Sequence, residues 1–134
     1  MKKCLPLLTA LTIATAASAQ DVSFGERIFQ SKADCKFCHG ESGDGNGDPQ
    51  STGQPENLRI SILKRADMID VIACGRPGTE MPRFDKDAYG ARNCYGMSAE
   101  RLGKDMPPEP LSTTLTPREI EAVVDYVMAI FVIK

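Results

Sequence analysis

The chain has 134 residues, 42% of them hydrophobic and 25% charged, with five cysteines, a single histidine and no tryptophan. That is the size of one small domain, and 16 basic against 18 acidic residues argue against nucleic acid as a partner.

The first residues read as an export signal. Met1-Lys2-Lys3 is a basic start, Leu5 to Ala17 is apolar, and Ala17-Ser18-Ala19 is a small-residue cleavage site. The apolar run is too short to span a bilayer, which takes about 20 residues. Cys4 lacks the upstream run of a lipoprotein acceptor and is expected to leave with the signal. The predicted organisation is therefore a signal peptide over 1–19 and one domain over 20–134. With Lys2 and Lys3 gone, 14 basic residues face 18 acidic ones, a net charge of −4. Gly and Pro are dense in the remainder, so aliphatic packing alone is not expected to complete the fold.

In chain order, the first predicted helix covers Phe24 to Gln30 and places Gly25 and Phe29 four apart on one face, where glycine admits a crossing helix. Next comes Cys35-Lys36-Phe37-Cys38-His39, then an irregular segment, Gly40 to Asn57. A second helix is predicted over Ala66 to Cys74, with Asp67 near its start, Ile69 and Ile72 on one face and Gly75 as its stop. A second irregular segment, Pro82 to Thr114, holds only a short helical turn at Ser98 to Leu102. Such long structureless segments point to a bound ligand or a cross-link. The last helix has the clearest signal. Thr116-Pro117-Arg118-Glu119 is a capping box with proline at the first helical position, and Ile120, Val123, Val124, Val127 and Phe131 recur as one buried stripe. Its apolar end, Met128 to Ile133, is too short for a membrane anchor.

The Cys-x-x-Cys-His run in an exported chain is a c-type haem attachment signature. Two thiols three residues apart each add to one vinyl group of the macrocycle, and the adjacent His39 supplies the proximal axial bond. A thioredoxin-like redox pair would need a preceding strand and a βαβ setting, which the sequence lacks. A structural zinc site would need a second close pair of ligands, and Cys74 and Cys94 are not one. A plain Cys35–Cys38 disulfide leaves His39 unexplained. Asp44-x-Asn46-x-Asp48 imitates a calcium loop but has Pro49 and Pro55 where glycine and glutamate belong. The Gly43, Gly45 and Gly47 series lacks the lysine and hydroxyl residue of a phosphate loop.

With one histidine, bis-histidine ligation within the chain is excluded. The second ligand is then a methionine, another donor or nothing, and the methionine candidates are Met81, Met97 and Met106, since Met68 and Met128 fall in helices. Gly78-Thr79-Glu80-Met81-Pro82 constrains one thioether in a loop delivered by the helix ending at Gly75.

Together these elements resemble the class I monohaem c-type cytochromes of bacteria: the Gly/Phe helix, Cys-x-x-Cys-His-Gly, a Gly-rich loop, Gln54-Pro55-Glu56-Asn57-Leu58, a helix ending in glycine, a Met-Pro loop and a C-terminal helix with an aromatic. The resemblance spans most of the mature chain. It implies a small all-α fold with its terminal helices crossing through Gly25, Phe29 and Tyr126, one covalent haem c, His39 and Met81 as axial ligands to iron, and the Pro55 carbonyl as the acceptor for His39. The chain departs from the pattern after Met81, where Arg83 to Leu115 intervene and carry Met97, Met106-Pro107-Pro108 and Cys94. Met106 is the rival ligand for that reason. With Cys35 and Cys38 used by haem, Cys74 and Cys94 remain in an oxidising compartment and are expected to pair.

The expected function is electron transfer in the periplasm between redox protein partners, with no catalytic residue. Two alternatives remain at this point. One is a dedicated electron-accepting subunit of a periplasmic dehydrogenase, docking through the 83–115 insertion. The other is a haem sensor or small haem enzyme with a labile sixth ligand.

Overall fold

The computed structural model describes the backbone of residues 17–133 and the side chains of residues 22–133. Most of the expected signal, Cys4 included, lies outside these residues. Among the described residues the regular structure is helical, with isolated bridges at Ala88–Arg92 and Cys94–Met97 but no strand. No helix among them is long and apolar enough to cross a membrane.

Five α-helices are present among the described residues: α1 (Ala17–Arg27), α2 (Lys36–His39), α3 (Arg65–Cys74), α4 (Ala99–Leu102) and α5 (Pro117–Ile130). Helix α1 runs into a π-helical turn over Ile28–Lys32, so the first helical stretch extends beyond both ends of the predicted one. The wider turn carries Ile28 and Phe29, both 1% exposed, into the core. Helix α3 starts one residue earlier than expected. Its N-cap, Lys64, makes no side-chain cap, which removes the local signal for that boundary. The buried face of α3 is Met68, Ile72, Ala73 and Cys74, while Ile69 packs half-buried beside it.

Helix α5 is the organising element. Thr116 and Glu119 form the expected reciprocal capping box, and Lys32 at the end of the π turn binds Glu119. Removing the Thr116 hydroxyl loses a cap, so Thr116→Ala is expected to cost about 1 kcal/mol in thermal or denaturant unfolding. Ile120, Val123, Val124, Val127 and Phe131 are all buried, as the stripe requires. Glu121 and Asp125 lie on the other side, where Arg65 of α3 forks onto Asp125, Nε to Oδ1 at 2.6 Å and Nη2 to Oδ2 at 3.0 Å.

The crossing of α1 and α5 passes through Gly25. A Cβ there would stand 2.1 Å from the Ala122 carbonyl oxygen and 2.6 Å from Tyr126 Cβ. Below the crossing, Phe29 and Tyr126 each meet Phe131 edge to face and lie tilted against one another, with ring centroids 5.1–5.7 Å apart.

The insertion closes on itself. Phe84 N–H donates to Ile72 O (3.1 Å), and Leu115 N–H donates back to Phe84 O (2.8 Å). The chain therefore leaves the helical core and rejoins it at adjacent points. Between them, the structure joins the sulfurs of Cys74 and Cys94, with Cα atoms 5.6 Å apart. Arg92 bridges Asp70 (2.9 Å) and Asp85 (3.4 Å), and the Tyr95 hydroxyl donates to Gly75 O at 2.8 Å. The insertion is thus fastened to the C-terminal end of α3, from which the Met81 loop departs.

Candidate functional site

The site is built on α2, a single helical turn. It is separated from the π turn by Asp34, whose φ of 51° breaks the helix; aspartate tolerates that region better than most residues. Cys38 N and His39 N both point to Cys35 O, at 3.2 and 2.9 Å. Residues three and four apart in a helix share a face, so Cys35, Cys38 and His39 project together. Both cysteines are unbonded to any other sulfur.

The Gly-rich loop wraps this turn and caps it. Gly45 N–H donates to His39 O (2.9 Å) and Asp48 N–H to Phe37 O (2.7 Å), satisfying carbonyls that a four-residue helix leaves open. At Gly47 the loop passes so close that a Cβ would sit 2.2 Å from Phe37 O and 2.3 Å from Cys38 O. Asp44 and Asp48 each accept from the backbone two residues on, Asn46 N at 2.9 Å and Gln50 N at 2.8 Å. Both carboxylates act as turn acceptors.

His39 Nδ1 lies 3.0 Å from the Glu56 carbonyl. A carbonyl only accepts, so Nδ1 carries the proton and Nε2 keeps its lone pair. The acceptor is not the Pro55 carbonyl expected from the resemblance. That oxygen lies against Gly45, 3.1 Å from where its Cβ would be, and the next peptide in the loop faces the imidazole instead. Burial holds the His39 pKa below its ordinary value, opposed by the Glu56 carbonyl, which keeps the ring neutral and able to ligate.

The thiols behave differently from a redox pair. Burial pushes Cys35 up to about 12, and Cys38 is also raised, chiefly by burial. A disulfide-exchange centre needs a depressed pKa and an accessible thiolate; these thiols are held protonated. Cys74 and Cys94 are joined to one another, so neither completes a zinc site with His39.

Met81 arrives from a different part of the chain. Gly75, at φ 67°, turns α3 into the loop; a Cβ there would meet Met81 O at 2.7 Å and Pro107 Cβ at 2.6 Å. Arg76 N–H donates to Met81 O (3.2 Å), and the Thr79 hydroxyl both donates to Arg76 O (2.8 Å) and accepts from Met81 N–H (3.1 Å). The thioether residue is half-buried and packs against the core. Met106 runs alongside, held by Gly78 N–H to Asp105 O (2.8 Å) and Arg83 N–H to Pro108 O (2.9 Å). It lines a surface cavity with Thr79, Glu80 and Lys104. Met97 is tied by its N–H to Cys94 O (3.0 Å) within the insertion.

These residues fit a covalently bound haem. Two protonated, unpaired thiols and a neutral imidazole share one helical face, and the imidazole's outer nitrogen is already anchored to a carbonyl. The link most easily missed from sequence is Arg76, whose Nη1 lies 3.0 Å from Glu56 Oε1; no local pattern announces an ion pair twenty residues apart.

Residues 20–99 match the family described as cytochrome c oxidase, cbb3-type, subunit III. Among solved structures, a chain of the Kuenenia stuttgartiensis reducing HAO-like protein complex is similar in fold, with a TM-score of 0.58 and 19% identity. That match covers 96% of this chain and 51% of the other, so the chain spans about half the length of this neighbour. No functionally curated protein matches the chain.

Proposed function

Because the chain belongs to the c-type cytochrome family of cbb3-type cytochrome c oxidase subunit III, we propose that it is a periplasmic electron carrier with one haem c, bound through Cys35 and Cys38 and ligated by His39 and Met81. The family implies covalent haem and electron transfer; the single attachment motif supports one haem. The observation that carries the reading is the shared face of the two thiols and the imidazole, with Nδ1 committed to Glu56 O.

Bound haem supplies a one-electron couple. The chain's part is ligation, burial and orientation. With haem bound, His39 and Met81 would hold the iron between them and leave no easy place for oxygen or peroxide, which favours carriage over catalysis. A thioether is a soft ligand and raises the reduction potential relative to a second imidazole. Donor and acceptor are redox proteins, and the acidic mature chain suits partners with basic docking faces, at rates that fall with ionic strength.

Met81 is favoured over Met106 because the Thr79 hydroxyl and the Arg76 N–H hold its backbone at both amide and carbonyl. Met106 sits at an open cavity instead. In the purified ferric protein, Met81→Ala is expected to abolish the Met–iron charge-transfer band, whereas Met106→Ala leaves it in place. The reverse pattern would transfer the role to Met106.

A further inference from the structure

We propose that the Arg76–Glu56 ion pair is a strap joining the two axial-ligand loops, so that the residue anchoring His39 also restrains Met81. The inference rests on the reading of Met81 as the sixth ligand. Glu56 offers its carbonyl to His39 Nδ1 at 3.0 Å and its carboxylate to Arg76 Nη1 at 3.0 Å. Arg76 is itself hooked to Met81 from both sides, directly through Arg76 N–H to Met81 O and indirectly through its carbonyl, the Thr79 hydroxyl and Met81 N–H. A continuous path of contacts therefore runs from His39 through Glu56 and Arg76 to Met81, across parts of the chain that are otherwise separate in sequence.

Position gives this pair its weight. The side chains are 41% and 72% exposed, and exposed pairs are individually weak and screened by salt. Here, however, both backbones are already fixed. The Glu56 carbonyl is held by the imidazole, and Asn57, the next residue, caps the 3-10 turn Leu58–Ile60. The Arg76 peptide is locked into the Met81 turn. Only side-chain freedom is lost on pairing, and whatever the pair contributes acts on the equilibrium between Met81 bound and Met81 released. Arg76 and Glu56 are positioning residues; neither needs to touch the iron.

Imidazole added to the ferric mature holoprotein competes with Met81 for the sixth position, so its apparent affinity reads the Met81-released population. At low salt, Arg76→Gln and Glu56→Gln are each expected to tighten imidazole binding about two- to fivefold. The double variant should be no tighter than either single, and Arg76→Lys should restore most of the effect. In molar salt the wild type should approach the variants. Glu56→Gln keeps the backbone carbonyl, so the His39 anchor survives in it. Unchanged affinity in both single variants, or additive effects indifferent to salt, would overturn the strap. A Met81→Ala control separates the two ideas: if it leaves imidazole affinity at the wild-type value, the Met81 assignment itself has failed and the strap falls with it.

Discussion

Exported protein in which Cys35 and Cys38 are both alanine is expected to carry no haem through denaturation, while each single variant retains one attachment. The haem-dependent signal of the denatured chain checks this. Each thioether would form by addition of one S–H across one vinyl double bond, a step that needs no outside oxidant. The two thiols are independent in that chemistry because neither is bonded to another sulfur. What they share is the turn: Cys38 N and His39 N both bond to Cys35 O, and Gly45 and Asp48 cap the far end. A His39→Gly variant keeps both thiols but loses the imidazole, so it separates attachment from ligation. If the double cysteine variant kept covalent haem, the attachment reading would be wrong.

The second large effect is expected at Gly25. A methyl group placed there overlaps the Ala122 carbonyl at 2.1 Å, and a backbone oxygen cannot rotate away as a side chain would. Alanine in place of glycine in a helix gains about 1 kcal/mol of propensity. Overpacking a close helix crossing costs about 1–3 kcal/mol or more, and here it also displaces Tyr126, which carries the Phe29 and Phe131 ring contacts. The steric term should win. Gly25→Ala is expected to be destabilising, and Gly25→Val more so, by about 3 kcal/mol or more, a fall of roughly 15 °C in thermal midpoint for a domain of this size. A stabilised Gly25→Ala protein would mean that α1 and α5 do not cross where the structure has them.

The parts of this molecule that were legible in its sequence are those whose causes are local. Thr116, Pro117 and Glu119 announce the start of α5 within four residues, and the structure has the capping box. Gly25 and Phe29 announce a close crossing because a missing Cβ and a ring four residues on are useful together. The attachment turn is legible because chemistry fixes its spacing. The misses are of another kind. Which carbonyl faces His39 depends on the backbone path of the whole Gly40 to Asn57 loop, so a one-residue slip from Pro55 to Glu56 was not readable. The π turn at Ile28–Lys32 arises from how Ile28 and Phe29 must both reach the core. The return of the insertion to Phe84 through Leu115, and the Arg92 bridge from Asp70 to Asp85, are long-range contacts with no pattern of their own. The choice between Met81 and Met106 stayed open in sequence for the same reason. Their loops run side by side, Met81 fastened at its amide and carbonyl through Thr79 and Arg76 and Met106 at its amide through Gly103, contacts that no sequence pattern announces.

If the chain carries electrons on a haem held by both His39 and Met81, the iron would offer no open position to a small ligand. Exposure of the reduced, purified protein to carbon monoxide at neutral pH tests it most directly. A low-spin ferrous spectrum that carbon monoxide leaves unchanged on the timescale of mixing is the expected result. Rapid conversion of a high-spin ferrous haem to the carbonyl complex would contradict it and turn the reading to a sensor or a small haem enzyme.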